Sequence, residues 1–216
     1  MNLKSTYMST IEEVKEIQEE FSKKVITKDV LPKNITKICG VDVSYKYDRS
    51  FCACVIIDVK TMQVIETVYS SLKTEHDYIP GFFMLREAKP ILKTIKKLKS
   101  KFDILLIDGH GQLHPRRCGL ACYIGIMIEK PTIGVAKKLL CGNQISDSQI
   151  QLDGKVLGQA IKSKNKSIFI SVGNMIALRT AYNIIKNLIL AGKWYPEPLY
   201  LADRLSKKFR EKECRI

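Results

Sequence analysis

Three stretches of sequence, ICGVDVSY (residues 38–45), FCACVIID (51–58) and VIETVYSSL (64–72), decide the fold. Each is rich in Val, Ile, Cys, Thr and Tyr, mostly residue types that favour strands, and only short polar turns separate the three stretches. Consecutive strands joined by such short turns pair in alternating directions. We therefore predict that these residues form an antiparallel three-strand meander.

The hydrophobic pattern changes after the Pro-Gly pair at residues 80–81, where helix-like spacing of apolar residues alternates with short apolar segments. Strands separated by helices usually pair in parallel through crossover connections. The pattern predicts an α/β fold with a mixed central sheet, in which two parallel strands join the meander and helices flank the sheet. The predicted helices are 9–26, 82–99 (kinked or split at Pro90), 119–128, 174–191 and 199–212, the added strands are 102–107 and 132–135, and residues 155–162 and 167–172 form a late hairpin.

The size and composition of the chain predict one basic globular domain. It has 216 residues with no internal repeat and no flexible linker, so we expect a single domain over 1–216. Its formal net charge of +14 predicts a polyanionic partner. No apolar run reaches the ~18 residues of a membrane span, and no signal segment opens the chain. We expect a cytoplasmic monomer that does not contact a membrane.

The seven cysteines raise the question of a zinc site. Cys52 and Cys54 share one face of a predicted strand, and Cys118 and Cys122 share one face of a predicted helix. Neither pair has the CxxC spacing of common zinc sites. Small buried hydrophobic side chains with free thiols explain both pairs better.

Two aspartates occupy unusual positions at the predicted sheet. Asp42 lies inside the apolar first strand, and Asp108 follows the apolar run at 105–107. Either aspartate alone is compatible with a structural role, as a hydrogen-bonded polar residue or as a loop cap. If their strands are neighbours, however, the two carboxylates point to the same place. Glu87, in the helix between them, is a candidate third ligand. A site made only of oxygen ligands favours Mg²⁺ or Mn²⁺ over zinc.

The segment after Asp108 has the composition of a phosphate-binding loop. His110 and His114 are candidates to donate to a phosphate or orient a metal-bound water, and Arg116 and Arg117 are predicted to open the next helix, whose N-terminus favours anions. The alternative is a basic loop with solvated histidines.

Two further segments carry candidate functional side chains. Lys137 and Lys138 follow a buried strand beside the predicted acids, as a phosphate partner or as a solvated pair. Tyr78 precedes a rigid Ile79-Pro80 turn, either as a wedge that separates bases or as a core tyrosine.

The chain resembles the endonuclease V family, the deoxyinosine 3′ endonucleases. The resemblance covers about residues 35–205, and its motifs occur in the order and spacing of the family. They are GVDV (40–43), YIPGF (78–82) followed by Arg86-Glu87, DGHG (108–111), HPRR (114–117) and PTIGVAKK (131–138).

The resemblance implies an RNase H-like fold and a function in the repair of deaminated adenine. It implies Mg²⁺-dependent hydrolysis, with Mn²⁺ as a substitute, of the second phosphodiester bond 3′ to inosine or deoxyinosine in nucleic acid, leaving 3′-hydroxyl and 5′-phosphate ends. The implied site comprises the catalytic residues Asp42, Glu87, Asp108, His114 and Lys137, the metal ligands Asp42, Glu87, Asp108 and Asp203, the strand-separating wedge Tyr78, Ile79 and Pro80, the base pocket Gly81, Gly109 and Gly111, and the phosphate-binding residues Arg116 and Lys138.

Two positions depart from the family pattern, and three other functions remain open. Asp77 stands where the wedge usually begins with Pro, and Asn174 stands where several relatives have His. The alternatives are an inosine-specific ribonuclease, a basic nucleic-acid-binding protein without catalysis, and another RNase H-like nuclease. The binder has no use for three acids together, and the Tyr-Ile-Pro-Gly loop argues against the last alternative.

Overall fold

The computed structural model describes residues 10–77, 79–163 and 165–214 as one sheet with helices on both faces. Its helices are α1 (Ile11–Ser22), α2 (Phe83–Ile95), α3 (Leu120–Ile128), α4 (Leu178–Asn187) and α5 (Glu197–Glu213). Its strands are β1 (Lys37–Lys46), β2 (Arg49–Asp58), β3 (Val64–Lys73), β4 (Ile104–Asp108), β5 (Thr132–Ala136), β6 (Asn143–Gln144), β7 (Gln149–Leu152), β8 (Lys155–Ser163) and β9 (Lys166–Asn174).

The sheet has the strand order β3-β2-β1-β4-β5-β9-β8-β7-β6. Strands β1, β2 and β3 pair antiparallel, and β4 and β5 extend the sheet in parallel from β1. The predicted mixed sheet, a three-strand meander plus two parallel strands, is therefore confirmed. The predicted late hairpin is β8–β9, and it joins the same sheet because β9 pairs antiparallel with β5. The short strands β6 and β7 were not predicted.

The prediction of a helix beginning at Asn174 is wrong. Asn174 ends strand β9, and α4 begins at Leu178. The Asn174 side chain is buried, where Oδ1 accepts a hydrogen bond from the Ile26 amide (3.0 Å) and Nδ2 donates to the Gly125 carbonyl (3.2 Å). These two long-range bonds hold the residue in the strand, and the helical spacing of the following residues begins only after it.

Helix α2 is shorter than predicted and is not split. It ends at Ile95, and Pro90 lies inside it. A proline inside a helix lacks the amide that would bond the preceding turn. Here the Pro90 carbonyl still accepts a hydrogen bond from Thr94 Oγ1 (2.7 Å), and Thr94 is fully buried. Packing against the sheet thus stabilises one helix across the proline.

Each face of the sheet has its own hydrophobic core. Helices α1, α2 and α3 cover one face, and α4 and α5 cover the other. The cysteines Cys52, Cys54, Cys118 and Cys122 are buried free thiols, as predicted. In the described parts of the chain, no helix is long and apolar enough to cross a membrane.

Candidate active site

The two predicted aspartates lie side by side at the carboxyl edge of the parallel strands. The β1–β4 register pairs Val41 with Ile107, which brings Asp42 and Asp108 next to each other one residue further along. Adjacent strands lie about 4.8 Å apart. Successive side chains along a strand point to opposite faces of the sheet. Asp42 and Asp108 both occupy positions whose side chains point to the face covered by α5.

Asp42 receives a hydrogen bond from one residue of α5 and lies near the like charge of another. Its carboxylate is 9% exposed, and Oδ2 accepts a hydrogen bond from Ser206 Oγ (3.0 Å). Burial is the largest cause that raises the pKa of Asp42, to about 7, and the neighbouring Asp108 and Asp203 carboxylates raise it further in the same sense. Asp203 is itself paired with Lys207, whose Nζ donates to Oδ2 at 2.8 Å.

Glu87 reaches the same place from α2, on the opposite face of the sheet. Burial raises the pKa of Glu87 well above its usual value, and the Asp42 and Asp108 carboxylates raise it further. The Tyr45 hydroxyl donates to Glu87 Oε1 (3.4 Å), and the Arg86 guanidinium stacks 3.8 Å from the centre of the Tyr45 ring. Glu87 is thus oriented by an aromatic neighbour and lies within electrostatic reach of both aspartates.

Lys137 supplies a positive charge within this group of acids. Its ammonium contacts Asp108 Oδ2 in an ion pair, and it lies over the Tyr195 ring at 4.7 Å from the ring centre. Burial lowers the pKa of Lys137, but Asp108, Asp42 and Asp203 raise it by more, so the net direction is upward. Lys137 therefore stays charged at neutral pH.

The acid cluster, defined as Asp42, Glu87, Asp108 and Asp203, consists of oxygen donors only. Besides burial, the charges of neighbouring members of the cluster raise the pKa of Asp42 and of Glu87, and a cation bound beside them would favour their ionised forms. Among the described residues, no group of three His, Cys, Asp or Glu side chains already lies in a metal-binding arrangement. The ligand role of these four residues stays a prediction.

A cavity of about 370 Å³ opens beside Asp108. This volume is within the range of small-ligand pockets. Its wall includes Gly81 and Gly109, two of the three predicted pocket glycines, and the predicted residues Pro80, His114 and Lys138. Apolar side chains complete the wall, among them Phe83, Met84, Leu120, Leu139 and Leu140.

Gly111 does not line this cavity, in contrast to its predicted place. A Cβ at Gly111 would lie 2.0 Å from the Val172 carbonyl oxygen, and the Gly111 amide donates to Ser171 Oγ (2.8 Å). The loop after Asp108 therefore packs directly on β9, and glycine is required there for close backbone approach.

The two arginines of the loop do not open a helix. Arg117 has a left-handed φ of 55°, and α3 begins only at Leu120. Arg117 instead bonds Asp153 Oδ2 (2.9 Å), whereas Arg116 contacts groups at the cavity wall. A left-handed residue cannot belong to a right-handed helical turn, which explains the later start.

Of the remaining wedge residues, Pro80 lines the cavity and Ile79 precedes it in the same turn. The Ile79 carbonyl accepts a hydrogen bond from the Phe82 amide (3.0 Å), closing a turn whose exposed tip is Pro80. Tyr78 lies outside the described residues. The wedge role of this turn stays a prediction.

Sequence reasoning missed three residues of the site: Gln18, Tyr195 and Ser206. Gln18 and Ser206 are buried polar residues on otherwise apolar helix faces, four residues after Val14 and Ala202 respectively. A polar residue at a core position of a helix is the signal that could have found both. No comparable signal marks Tyr195.

The fold and the site define a nuclease with an RNase H-like architecture and a carboxylate centre. The family model of endonuclease V matches residues 19–204, and the chain belongs to the endonuclease V family. It is 42% identical to the endonuclease V of Pyrococcus abyssi over 197 residues, covering 91% of each protein. It is 36% identical to that of Thermofilum pendens over 199 residues, covering 89% of this chain and 86% of the relative.

Solved structures of the family share the fold. The Bacillus subtilis endonuclease V superposes with a TM-score of 0.89 at 29% identity, covering 97% of this chain and 96% of the other. A Ciona intestinalis endonuclease V superposes with a TM-score of 0.85 at 27% identity, covering 94% and 98%. That structure is a complex with a 24mer DNA containing an inosine followed by a ribo-adenosine.

Proposed function

We propose that this protein is a Mg²⁺-dependent endonuclease that recognises inosine in nucleic acid and hydrolyses the second phosphodiester bond 3′ to it. The products carry 3′-hydroxyl and 5′-phosphate ends, and Mn²⁺ substitutes for Mg²⁺. The observation that carries the proposal is the acid cluster at the edge of a cavity large enough for a base. The inosine-containing DNA in the Ciona relative supports the choice of base.

The acid cluster suits a hard divalent cation. Asp42, Asp108, Glu87 and Asp203 would hold it, because carboxylate oxygens are the ligands that Mg²⁺ and Mn²⁺ prefer. Burial and the neighbouring carboxylates raise the pKa values of Asp42 and Glu87, and a bound cation would favour their ionised forms. Such an ion, when bound, activates water and offsets the charge that develops on the phosphate.

The chain's own cations hold the scissile phosphate. Lys137 lies within the acid cluster and stays protonated, so it presents a positive charge to a phosphate oxygen. Lys138 is exposed at the cavity wall, one residue further from the acids. Arg116, the other predicted phosphate-binding residue, instead donates hydrogen bonds to Gln18 Oε1 (2.6 Å) and to the Gly81 carbonyl (3.1 Å).

The cavity receives the base. A base inside a duplex must leave the stack before its edge can be contacted, which costs a few kcal/mol. The Ile79-Pro80 turn, with Tyr78, fills the position that the base leaves in the nucleic-acid duplex and offsets this cost. The backbone at Gly81 and Gly109 then borders the extruded base without side chains in the way.

One set of cleavage reactions tests the proposal. The substrates are matched oligonucleotides that contain one inosine, each in single-stranded and in duplex form. They are made as DNA, as RNA, and as DNA with one ribonucleotide 3′ to the inosine. The control oligonucleotides have adenosine in place of inosine. We expect cleavage only of inosine-containing substrates and only with Mg²⁺ or Mn²⁺. The bond cleaved is the second phosphodiester bond 3′ to the inosine. Mapping the product ends by mass spectrometry checks the position.

The same reactions separate the competing functions. A protein that binds these oligonucleotides but leaves them intact under every metal condition would be a basic binding protein. Cleavage restricted to RNA would establish an inosine-specific ribonuclease. Cleavage that ignores inosine would contradict the assignment of the cavity as a base pocket.

A further inference from the structure

Three side-chain donors converge on one backbone carbonyl, that of Gly81. Gln18 Nε2 donates to the Gly81 oxygen at 3.1 Å, His114 Nε2 at 3.0 Å and Arg116 Nη2 at 3.1 Å. A carbonyl oxygen has two lone pairs, so three donors saturate it. We call Gln18, His114 and Arg116 the Gly81 clamp. It joins helix α1, the loop after β4 and the turn before α2.

Gln18 is the member that binds the other parts together. Its side chain is 1% exposed, and Oε1 accepts a hydrogen bond from Arg116 Nε (2.6 Å) while Nε2 donates to Gly81. An arginine only donates and a carbonyl only accepts, so the orientation of the Gln18 amide is fixed. Both ends of the side chain are therefore used within the clamp.

Helix α1 is well placed to carry a positioning residue. Thr10 and Glu13 form a capping box at its start. On the same face as Gln18, Val14 is fully buried and the Phe21 ring stacks on Tyr123 of α3 at 5.4 Å between ring centres. The helix is thus anchored at several points, so Gln18 does not need to be held by the loop that it contacts.

The clamp fixes the part of the cavity wall formed by the turn before α2. Gly81 has a left-handed φ of 80°, and it follows the exposed Pro80 in the turn closed by Ile79 and Phe82. The Arg116 guanidinium also lies 4.5 Å from the centre of the Phe82 ring. Side-chain bonds from α1 and from the loop after β4 therefore set the distance between this turn and the opposite wall at Asp108.

We propose that Gln18 is a positioning residue that determines base specificity. It holds the turn at Gly81 in the position that gives the cavity the width to admit hypoxanthine. This inference deepens the proposed function and rests on it. Gln18 does not act on the phosphate, because the clamp uses both ends of its amide. Its loss widens the cavity, so affinity for inosine falls while general affinity for the nucleic-acid backbone stays.

The variants for the test are Gln18→Met and Gln18→Glu. Methionine keeps the length of the side chain and removes both hydrogen bonds. Glutamate keeps an acceptor for Arg116 but cannot donate to the Gly81 carbonyl. The control is Ile185→Val, a change on α4 that removes one methyl group from the core on the other face of the sheet without touching the clamp.

The first measurement is hydrogen exchange of the Gly81 and Phe82 amides in the protein without nucleic acid, because Pro80 has no amide and the Phe82 amide closes the turn by donating to the Ile79 carbonyl. We expect faster exchange in this turn in both Gln18 variants and unchanged exchange there in Ile185→Val. Unchanged exchange in the Gln18 variants would overturn the clamp, whatever the substrate of the enzyme is.

The second measurement is equilibrium binding of inosine-, guanosine- and adenosine-containing oligonucleotides, with divalent metals chelated. We expect the ratio of inosine to guanosine affinity to fall about tenfold in both Gln18 variants and to stay at the wild-type value in Ile185→Val. An equal fall for every oligonucleotide, or no fall, would overturn the specificity role. Absence of any inosine preference in the wild-type protein would instead refute the proposed function.

Discussion

His114 gives a prediction about stability whose size follows from the structure. The ring is 2% exposed, its Nδ1 accepts a hydrogen bond from the Arg116 amide (3.2 Å), and its Nε2 donates to Gly81. Only the neutral tautomer with the proton on Nε2 makes both bonds, because an amide cannot accept from a protonated Nδ1. Burial is the main cause that lowers the pKa of His114, to about 4.

A lowered pKa makes the folded protein lose stability in acid. Between pH 6.5 and pH 4 the unfolded chain binds a proton at this residue and the folded chain does not, so the free energy of unfolding rises with pH in that range. At 1.36 kcal/mol per pH unit, the loss is about 2 kcal/mol at pH 5 and about 3 kcal/mol at pH 4, relative to pH 7.5. Above pH 6.5 the contribution of His114 no longer changes.

The test compares wild type with His114→Gln, which keeps a donor for Gly81 but does not titrate. Urea unfolding at pH 7.5, 6, 5 and 4 gives the difference in free energy of unfolding between the two proteins. We expect that difference to move by about 2 kcal/mol against wild type from pH 7.5 to pH 5. Parallel pH profiles for the two proteins would refute the assignment of a buried neutral imidazole.

Further predictions concern the acids, the cations and the wedge. Asp42→Ala and Asp108→Ala are expected to lower single-turnover cleavage by roughly a thousandfold, with the thermal midpoint unchanged or raised because like charges are removed; full activity would contradict the metal assignment. Ser206→Ala is expected to lower the urea-derived stability by about 1–2 kcal/mol at pH 8, where the carboxylate it contacts is ionised. Lys138→Ala is expected to reduce the slope of log K against log salt by about 0.9, measured by fluorescence anisotropy, and an unchanged slope would exclude a phosphate contact. Tyr78→Ala is expected to weaken cleavage of duplex inosine substrate more than that of single-stranded substrate; an equal loss would argue against a wedge.

The sheet and the pair of aspartates were predictable because both depend on local pattern. Alternating and apolar runs of residues predicted β1, β2 and β4. Functional groups gather at the carboxyl ends of parallel strands, and this rule predicted that Asp42 and Asp108 are neighbours. The end of β9 was not predictable in this way. Asn174 is held in the strand by Ile26 and Gly125, which are 148 and 49 residues away along the chain.

The surroundings of the acids depend on contacts that sequence spacing does not encode. The hydrogen bond from Ser206 to Asp42 joins residues 164 positions apart, and the bond from Gln18 to Gly81 joins residues 63 apart. The resemblance to the family implied that Gly111 borders the base pocket. In the structure, the lack of a side chain at Gly111 instead allows close approach to β9.

The contact between α5 and β1 also sets when a newly made chain completes its acid cluster. Asp42 is translated early, whereas Asp203 and Ser206 belong to the last helix of the described chain. At about 5–20 residues per second, the ribosome needs roughly 8–33 s to synthesise the 164 residues between Asp42 and Ser206. During that time the growing polypeptide lacks both Asp203 and Ser206, so the acid cluster stays incomplete until the last helix has been made.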